Sequence, residues 1–248
     1  MKNLIFITVF FKNEYIDLLM MLLETLYKKG NLDDNTDILI YTTTKFKEII
    51  LEKMNENKLL FKTNDSINDV DSACKARLDF FDFGLTEYYK ILYLDTDILV
   101  VNDINKIFNL LTDEKLYAVK EGSIDHNREY DFWGKFLFGN TIDDYSDKSA
   151  FNSGVLLFPN TKTIMRLFKS IKECMVLNNN EGFTDQVYFV YNTKKYNLLQ
   201  NNSLLNVYVT FNNISNNSIL VHFIGGPGEA QSKLTKMTQF LNYFKLNW

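Results

Sequence analysis

The sequence predicts an α/β fold with a mixed, mostly parallel central sheet flanked by helices. In the first half of the chain, apolar runs alternate with stretches of helical periodicity. The runs are apolar on both sides, which is typical of strands covered on both faces of a sheet. Hydrophobic residues make up 46% of the 248, enough for a sizeable packed core. Because no linker or repeat divides the sequence, we expect one domain over 1–248.

The elements of the first half follow in a regular order. LIFITVFF is strand-like, and the helical stretch after it ends at Lys28, Lys29 and Gly30, a common C-terminal signal. DILIYT predicts a second strand and KFKEIILEKMNENK a second, amphipathic helix. DVDSACKARLDFFDFG predicts a third helix, ended by Gly84. The next strand, YYKILYLDTDILVV, contains two aspartates in the most apolar segment of the chain.

The second half is less regular. Residues 121–149 mix acids with aromatics such as Tyr130 and Trp133, and predict a long excursion that forms a binding wall. FNSGVLLF predicts a strand and TKTIMRLFKSIKECMVL a helix with one apolar face. TDQVYFVYN predicts a short helix capped by Thr184. SILVHFIGGPG reads as a strand entering a glycine loop, and KLTKMTQFLNYF as a closing helix.

Composition and charge exclude several classes of protein. Lys and Arg number 27 against 31 Asp and Glu, a net charge of −4, which argues against binding the nucleic-acid backbone. Cys74 and Cys174 have no metal-binding spacing, so we expect free thiols. MKNLIFITVFFKNE lacks a signal-peptide cleavage site, and no run reaches the roughly 20 apolar residues of a transmembrane helix. These features predict a cytoplasmic protein.

Asp95 and Asp97 directly follow the apolar ILYL segment, so we expect them at the carboxyl end of a strand, where open α/β sheets bind ligands. Their spacing of two places both on one side of a strand. Two like charges on one side are stabilised if they share a hard divalent cation, such as Mg²⁺ or Mn²⁺, together with phosphate oxygens. The alternative is a solvated Asp-Thr-Asp turn that only caps the next helix.

The second candidate site is the glycine loop after His222. Gly225, Gly226 and Gly228 allow backbone N–H groups to approach an anion closely, and a helix follows. Lys233 adds positive charge, and a neutral His222 could join the cation. The alternative is a plain strand–turn–helix connection with a structural histidine.

These motifs, in this order, resemble glycosyltransferase family 8, the glycogenin-like group. The resemblance covers nearly the whole chain and rests on KARL, KILYLDTDILV, FNSGVLLF, TDQ and HFIGG. It implies a GT-A fold, with a nucleotide-binding part over about 1–105 and an acceptor and closing part over about 106–248. It also implies retaining transfer of a hexosyl unit from a UDP-sugar, of the UDP-glucose, UDP-galactose or UDP-GlcNAc type, with Mn²⁺ or alternatively Mg²⁺. The implied partners are that donor and a hydroxyl of a carbohydrate or protein acceptor; a homodimer is compatible with it.

The resemblance also assigns roles to individual positions. The implied metal ligands are Asp95, Asp97 and His222. The implied catalytic residues, near the anomeric carbon and the donor sugar, are Asp185, Gln186 and Asn152. The implied donor-binding residues are Val9 and Tyr15 at the uracil, Arg77, Thr96 and Ser153 near the nucleotide and sugar, and Gly225, Gly228 and Lys233 at the diphosphate.

The chain departs from the family pattern in two places. FFKNEY replaces a polar pair at the first loop, which affects the uracil contacts through Phe11 and Lys12. GEAQSK follows the glycines where relatives often have KPW, so Lys233, with Lys236 second, is the candidate for the phosphate contact. Each matched position also has a structural alternative; Tyr15 could be a helix-face aromatic and Arg77 a surface ion-pair partner.

Two other functions remain open from the residues. One is nucleotidyl transfer to a sugar phosphate, although ITVFFKNEY lacks the early glycine-rich phosphate loop expected there. The other is a catalytically degenerate GT-A domain that binds carbohydrate. Retention itself allows either a covalent intermediate on Asp185 or Gln186, or attack from the leaving-group face, which we favour.

Overall fold

The protein is described by a computed structural model over residues 1–54, 59–126, 133–178, 185–200, 204–226 and 229–244. Its strands are β1 (Lys2–Val9), β2 (Thr36–Thr42), β3 (Leu59–Thr63), β4 (Tyr88–Leu94), β5 (Ile98–Val100), β6 (Tyr117–Ser123), β7 (Ser149–Pro159), β8 (Val209–Phe211) and β9 (Leu220–His222). Its α-helices are α1 (Glu14–Lys29), α2 (Thr44–Lys53), α3 (Val70–Lys75), α4 (Asn105–Phe108), α5 (Lys135–Phe138), α6 (Lys162–Leu177), α7 (Gln186–Lys195) and α8 (Ala230–Tyr243). Short 3₁₀ helices cover Ala76–Phe83, Gly139–Asp144 and Leu204–Val207.

Six strands form the central sheet, in the order β3-β2-β1-β4-β7-β6. The first four strands pair in parallel, and β7 is antiparallel to both of its neighbours. Strand β7 is therefore the one reversed strand, and the predicted mixed, mostly parallel sheet is confirmed. Strands β3 and β6 were not predicted, because LLFKT and YAVKEGS are short and only partly buried.

Alternate residues of each central strand face two different hydrophobic cores. In β1, Leu4 and Phe6 pack on one face with α6, α7 and the first 3₁₀ helix, whereas Ile5 and Ile7 pack on the other with α1 and α2. This is the two-sided burial that the uniformly apolar strands predict. No helix among the described residues combines the length and apolar character that crossing a membrane requires.

A second, three-stranded sheet has the order β5-β9-β8. Strands β5 and β9 are antiparallel, and β8 and β9 are parallel. Leu99 and Val221 of this sheet pack against Leu18 of α1 and Met237 of α8. The sequence did not predict it as a separate sheet, since its strands have only three residues each and are too short for a periodic pattern.

The predicted third helix is wrong in its second half. Helix α3 ends at Lys75, and the chain continues as a 3₁₀ helix that buries Ala76, Arg77, Leu78 and Phe80. Consecutive buried residues do not fit one face of an α-helix, so the chain tightens its turn to bury them. Gly84 ends the segment at φ 64°, as predicted, because a left-handed conformation favours glycine.

Candidate active site

Asp95 and Asp97 lie in the bend that connects the two sheets. Strand β4 ends at Leu94 and β5 begins at Ile98, so the predicted position at the carboxyl end of a strand is confirmed. The backbone is held at both ends: the Asp95 N–H donates to the Gly154 carbonyl at 2.8 Å, and the Phe223 N–H donates to the Asp97 carbonyl at 2.9 Å. The predicted reason for their proximity, strand alternation, is wrong, because the bend brings the two carboxylates together.

His222 joins these carboxylates through pairing in the small sheet. It is the last residue of β9 and pairs with Ile98, directly after the aspartates. One ligand atom each from Asp95, Asp97 and His222 lies within 4.8 Å of the others. The Asp97 carboxylate and the imidazole are almost fully buried, and Nε2 lies 3.1 Å from Oδ1 of Asp97.

The residues of this cluster fit a divalent cation. Within the described part of the chain, Oδ1 of Asp97 and Nδ1 of His222 are buried and make no hydrogen bond. Unpartnered buried acceptors are costly unless something else binds them. Two carboxylates and one imidazole are a donor set that suits Mn²⁺ better than a softer, thiolate-preferring ion. The cluster is therefore a candidate metal site.

Gly154 of β7 leaves the space in which the cluster converges. A Cβ atom there would lie 2.4 Å from Cε1 of His222 and 2.7 Å from Oδ2 of Asp95, far inside van der Waals contact. The FNSG motif alone assigns Gly154 no role. The available signal was a glycine inside a buried strand, which often marks a close approach.

Arg77 connects the candidate metal site to Asp185. Its Nε lies 2.9 Å from Oδ2 of Asp185 and its Nη1 lies 3.4 Å from Oδ1 of Asp95. Nη1 also donates to the Ser153 carbonyl at 2.5 Å, and the guanidinium stacks 4.7 Å from the Tyr93 ring centroid. Burial would lower the pKa of Arg77, but the two carboxylates outweigh burial and raise it. Arg77 is therefore a buried, charged residue, not a surface ion-pair partner.

A chain of hydrogen bonds from Thr8 through Tyr93 orients Asp95. The Tyr93 hydroxyl donates to Oδ1 of Asp95 at 2.5 Å and lies 3.1 Å from the Thr8 hydroxyl. Both tyrosine and threonine project from neighbouring central strands, so the sheet itself fixes the orientation of the carboxylate. The sequence alone does not single out either residue, because both occupy ordinary strand positions.

Asp185 and Gln186 lie at the start of α7. Asp185 is 1% exposed; burial raises its pKa from 3.8 to about 6, with Arg77 opposing the rise and Asp95 adding to it. Oε1 of Gln186 accepts from the Ser153 N–H at 3.1 Å, which fixes this side chain beside the FNSG segment. The amide oxygen of Asn152 accepts from the Gly154 N–H at 2.8 Å. The predicted capping residue, Thr184, lies outside the described residues.

Lys233 enters the cluster from α8. Its Nζ lies 2.6 Å from Oδ2 of Asp97, and both residues are buried. Burial alone would raise the pKa of Asp97, but the neighbouring His222 and Lys233 outweigh burial and hold it below its usual value. Lys236, the second candidate, is exposed and lines a separate groove with Tyr243 and Phe244.

Asp95, Asp97 and His222 line one cavity of about 200 Å³, together with Arg77, Asp185 and Lys233. Every predicted site residue that the structure describes contributes to its wall: Val9, Tyr15, Arg77, Asp95, Thr96, Asp97, Asn152, Ser153, Asp185, Gln186, His222, Gly225 and Lys233. Gly228 lies outside the described residues. Phe11, which the sequence associates with the uracil contacts, also lines the wall. Wall residues that the sequence did not single out as site residues are Thr8, Phe10, Val70, Ala73, Cys74, Tyr93, Gly154 and Ile224.

Two wall residues have unusual properties. Phe11 adopts a left-handed φ of 79°, a conformation that costs a bulky residue about 1–3 kcal/mol. Cys74 is a free thiol whose burial raises its pKa to about 12, so it stays protonated.

No described residue of the predicted binding wall 121–149 lines the cavity. Trp133 packs against the core instead, and Tyr130 lies outside the described residues.

Known proteins resemble this chain in family and in fold. The family model described as "Glycosyl transferase family 8" matches residues 21–228. No curated protein sequence is significantly similar to the chain. Among solved structures, the galactosyltransferase LgtC in complex with donor and acceptor sugar analogs has a TM-score of 0.64 at 16% identity, covering 95% of each chain. Mouse xyloside xylosyltransferase 1 has a TM-score of 0.62 at 13% identity, covering 90% of this chain and 97% of that one.

The bifunctional glycosyltransferase WbbM has a TM-score of 0.64 at 11% identity over 95% of this chain, which spans about half (49%) of WbbM. At these identities the structural matches show the fold, which is the GT-A fold. The family match covers most of the chain, and its range includes Asp95, Asp97, His222, Arg77 and Asp185. The chain therefore belongs to glycosyltransferase family 8.

Proposed function

We propose that the protein is a retaining, Mn²⁺-dependent hexosyltransferase that moves a sugar from a UDP-sugar to an acceptor hydroxyl. The observation that carries the proposal is the convergence of Asp95, Asp97 and His222 in the same cavity as Arg77 and Asp185. The donor would be of the UDP-glucose, UDP-galactose or UDP-GlcNAc type, and the acceptor a carbohydrate or protein hydroxyl. We treat 1–248 as one domain, because α1 and α8 pack against the small sheet and Thr25 of α1 bonds to Val100 of β5.

Asp95, Asp97 and His222 would hold the cation. When bound, the cation supplies Lewis-acid stabilisation of the negative charge that develops on the departing diphosphate. Tyr93 keeps Asp95 in place, and Arg77 compensates the charge of Asp95 and Asp185. Mg²⁺ would suit the same oxygen-rich ligands.

The donor would lie along the cavity from the first loop to the glycine loop. Val9 and Tyr15 form the wall near the amino end of α1, where we place the base. Gly225 and Lys233 form the wall near the metal cluster, where we place the diphosphate. Thr96 and Ser153 would contact the ribose and sugar side between them. This placement rests on the family resemblance and on the presence of Val9, Tyr15, Gly225 and Lys233 in the wall of one cavity.

Asp185, Gln186 and Asn152 would surround the reacting carbon. We favour attack by the acceptor on the same face as the departing diphosphate, with Asp185 and Gln186 as positioning residues. Two contacts support this choice over a covalent intermediate: Arg77 lies 2.9 Å from Asp185 and stabilises its negative charge, and Oε1 of Gln186 already accepts a backbone hydrogen bond. The first contact opposes the rise in pKa that burial causes at Asp185, and the second occupies a lone pair of the Gln186 amide oxygen.

A panel of UDP-sugars tests the proposal, with Mn²⁺ present and release of UDP measured with and without simple sugar acceptors. We expect at least one donor to be cleaved by the wild type. Asp97→Asn should lower the rate at least about 100-fold, since even residues that only support metal ligands cost 10–100-fold. Asp34→Asn, an exposed aspartate in the loop before β2, is the matched control and should keep the wild-type rate.

Full turnover by Asp97→Asn, or no cleavage of any donor, would overturn the proposal. Formation of a UDP-sugar from UTP and a sugar phosphate would instead support nucleotidyl transfer. Carbohydrate binding with every donor left intact would support a degenerate binding domain.

A further inference from the structure

Lys233 makes a buried ion pair with Asp97 of the candidate metal site. It comes from α8, 136 residues along the chain from Asp97, and its Nζ lies 2.6 Å from Oδ2. The exposed fraction is 7% for Lys233 and 4% for Asp97. The lysine stem passes Gly225, where a Cβ atom would lie 3.1 Å from Cε of Lys233. Helix, glycine and carboxylate thus fix the ammonium group in the wall of the cavity.

The two oxygens of Asp97 have different environments. Oδ2 accepts a hydrogen bond from the ammonium group of Lys233. Oδ1 lies 3.1 Å from Nε2 of His222 and makes no hydrogen bond among the described residues. A cation bound by Asp97 and His222 would therefore share one carboxylate with a lysine. Two positive charges across a single carboxylate repel each other strongly at a buried site.

A donor diphosphate reverses the sign of this interaction. Its negative charge, placed at the Gly225 side of the cavity, would attract both the ammonium and the divalent cation. The same lysine then opposes the metal when the nucleotide is absent and favours the metal and nucleotide together. Such a difference is a coupling free energy between two ligands, and it is reciprocal.

We propose that Lys233 is a tethered counterion that weakens metal binding in the absence of nucleotide and makes Mn²⁺ and the nucleoside diphosphate bind cooperatively. The inference rests on the proposed function, because it requires both ligands in this cavity. It differs from a role in which Lys233 only orients Asp97. An orienting lysine would raise metal affinity, so its removal would weaken Mn²⁺ binding; removal of a counterion strengthens it.

Calorimetric titration of Mn²⁺, with and without saturating UDP, separates these roles. For the wild type we expect UDP to raise Mn²⁺ affinity at least about 10-fold, within the usual range of coupled sites. In Lys233→Met, Mn²⁺ alone should bind about 5- to 10-fold more tightly than it does to the wild type. The ratio of Mn²⁺ affinities with and without UDP should fall towards one. Lys233→Gln, which keeps a hydrogen-bond donor and loses the charge, should behave like Lys233→Met.

The matched control is Lys236→Met, which removes the same charge from the exposed side of α8 and should retain wild-type coupling. Circular dichroism and an unfolding curve verify that each variant is folded; if Lys233→Met does not fold, Lys233→Gln decides the question. Weaker Mn²⁺ binding in the Lys233 variants, or unchanged coupling, overturns this inference and leaves the proposed function standing. Absence of Mn²⁺ or UDP binding to the wild type overturns both.

Discussion

Arg77 is the residue on which the acidic side chains of the cavity depend. It lies within 3.4 Å of Asp95 and 2.9 Å of Asp185, and it also donates to the Ser153 carbonyl. Removing one partner of such a buried set leaves an uncompensated charge, which costs several kcal/mol. Arg77 therefore links the residues that would bind metal to those that would bind the sugar.

The raised pKa of Asp185 predicts that the stability of the protein depends on pH. Its pKa in the folded protein is about 6 against an ordinary 3.8, so the folded state binds a proton more tightly than the unfolded state. The contribution of Asp185 to stability is fully present below pH 3.8 and is lost as pH rises through about 6. Relative to Asp185→Asn, the free energy of unfolding of the metal-free wild type should fall by roughly 3 kcal/mol over that window.

Denaturant unfolding of both proteins between pH 4 and 7 measures this difference. Asn has the size of Asp and does not titrate, so the carboxylates that do not interact with Asp185 cancel in the comparison. A difference that is constant with pH, or that grows with pH, would contradict the assignment of a raised pKa to Asp185.

At the residue scale, the sequence identified side chains of distinctive chemistry and missed their supports. Asp95, Asp97 and His222 could be selected because charged or titratable residues beside apolar strands require an explanation. Tyr93, Thr8 and Gly154 could not, because their roles depend on contacts across neighbouring strands. The partner of Lys233 was also not predictable, since α8 and the bend at Asp97 are distant in sequence.

Strand β7 leaves the space in which the side chains of the candidate metal site meet. It runs antiparallel between β4 and β6, and its Gly154 faces His222 and Asp95. Its neighbours Asn152 and Ser153 line the same cavity. One strand therefore provides both the space that His222 and Asp95 occupy and part of the cavity wall.

Gly154→Ala should abolish Mn²⁺ binding while the fold persists. The added methyl group would lie 2.4 Å from His222 and 2.7 Å from Asp95, so both ligands must move, at a stability cost of about 1–3 kcal/mol. Val155→Ala, in the same strand and fully buried, is the control: it loses core packing and retains its Mn²⁺ affinity. Titration calorimetry that finds equal Mn²⁺ affinity in Gly154→Ala and the wild type would refute this role.

A side-chain bridge at Thr25 joins helix α1 to the small sheet. The Thr25 hydroxyl accepts from the Val100 N–H at 3.0 Å and donates to the Leu22 carbonyl at 2.8 Å. Thr25→Val keeps the shape and leaves a buried N–H without a partner, so we expect a loss of about 1–3 kcal/mol in unfolding free energy.

Thr193→Val is the matched control for this bridge. Thr193 is also fully buried in a helix, and its hydroxyl donates to the Phe189 and Val190 carbonyls; as far as the structure describes the chain, it accepts from no backbone N–H. Its replacement should cost less than the Thr25 change in the same denaturant experiment. An equal or larger cost for Thr193→Val would show that Thr25 does not support β5.

At the element scale, the long apolar strands and amphipathic helices were predictable, because each carries its own periodic pattern. The 3₁₀ helix Ala76–Phe83 and the three-residue strands of the small sheet were not. Their conformation depends on burial against other elements, which no local pattern records. The pairing of β5 with β9 is the most important of these, since it places His222 beside the aspartates.

At the scale of the whole molecule, the site lies where all three hydrophobic cores approach one another. Phe10 belongs to one core, Val9 to a second, and Phe223, beside His222, to a third. Ligands that bridge residues from all three regions should stabilise the entire fold.

Saturating Mn²⁺ and UDP together should therefore raise the melting temperature. At 100 times the dissociation constant, a ligand adds about 2.7 kcal/mol, which corresponds to a rise on the order of 5–10 °C for a chain of this length. Differential scanning calorimetry measures the change. In Asp97→Asn the same additions should produce a much smaller rise, and an equal rise would contradict binding at this site.

On the function proposed above, Asp95, Asp97 and His222 together hold a divalent cation for a nucleotide-sugar donor. Anomalous diffraction at the manganese edge, from crystals grown with Mn²⁺ and UDP, is the decisive measurement. We expect one strong anomalous peak in contact with all three side chains, with the diphosphate of UDP beside it. Manganese bound elsewhere, or UDP bound in this cavity with no anomalous peak at the three residues, would contradict it.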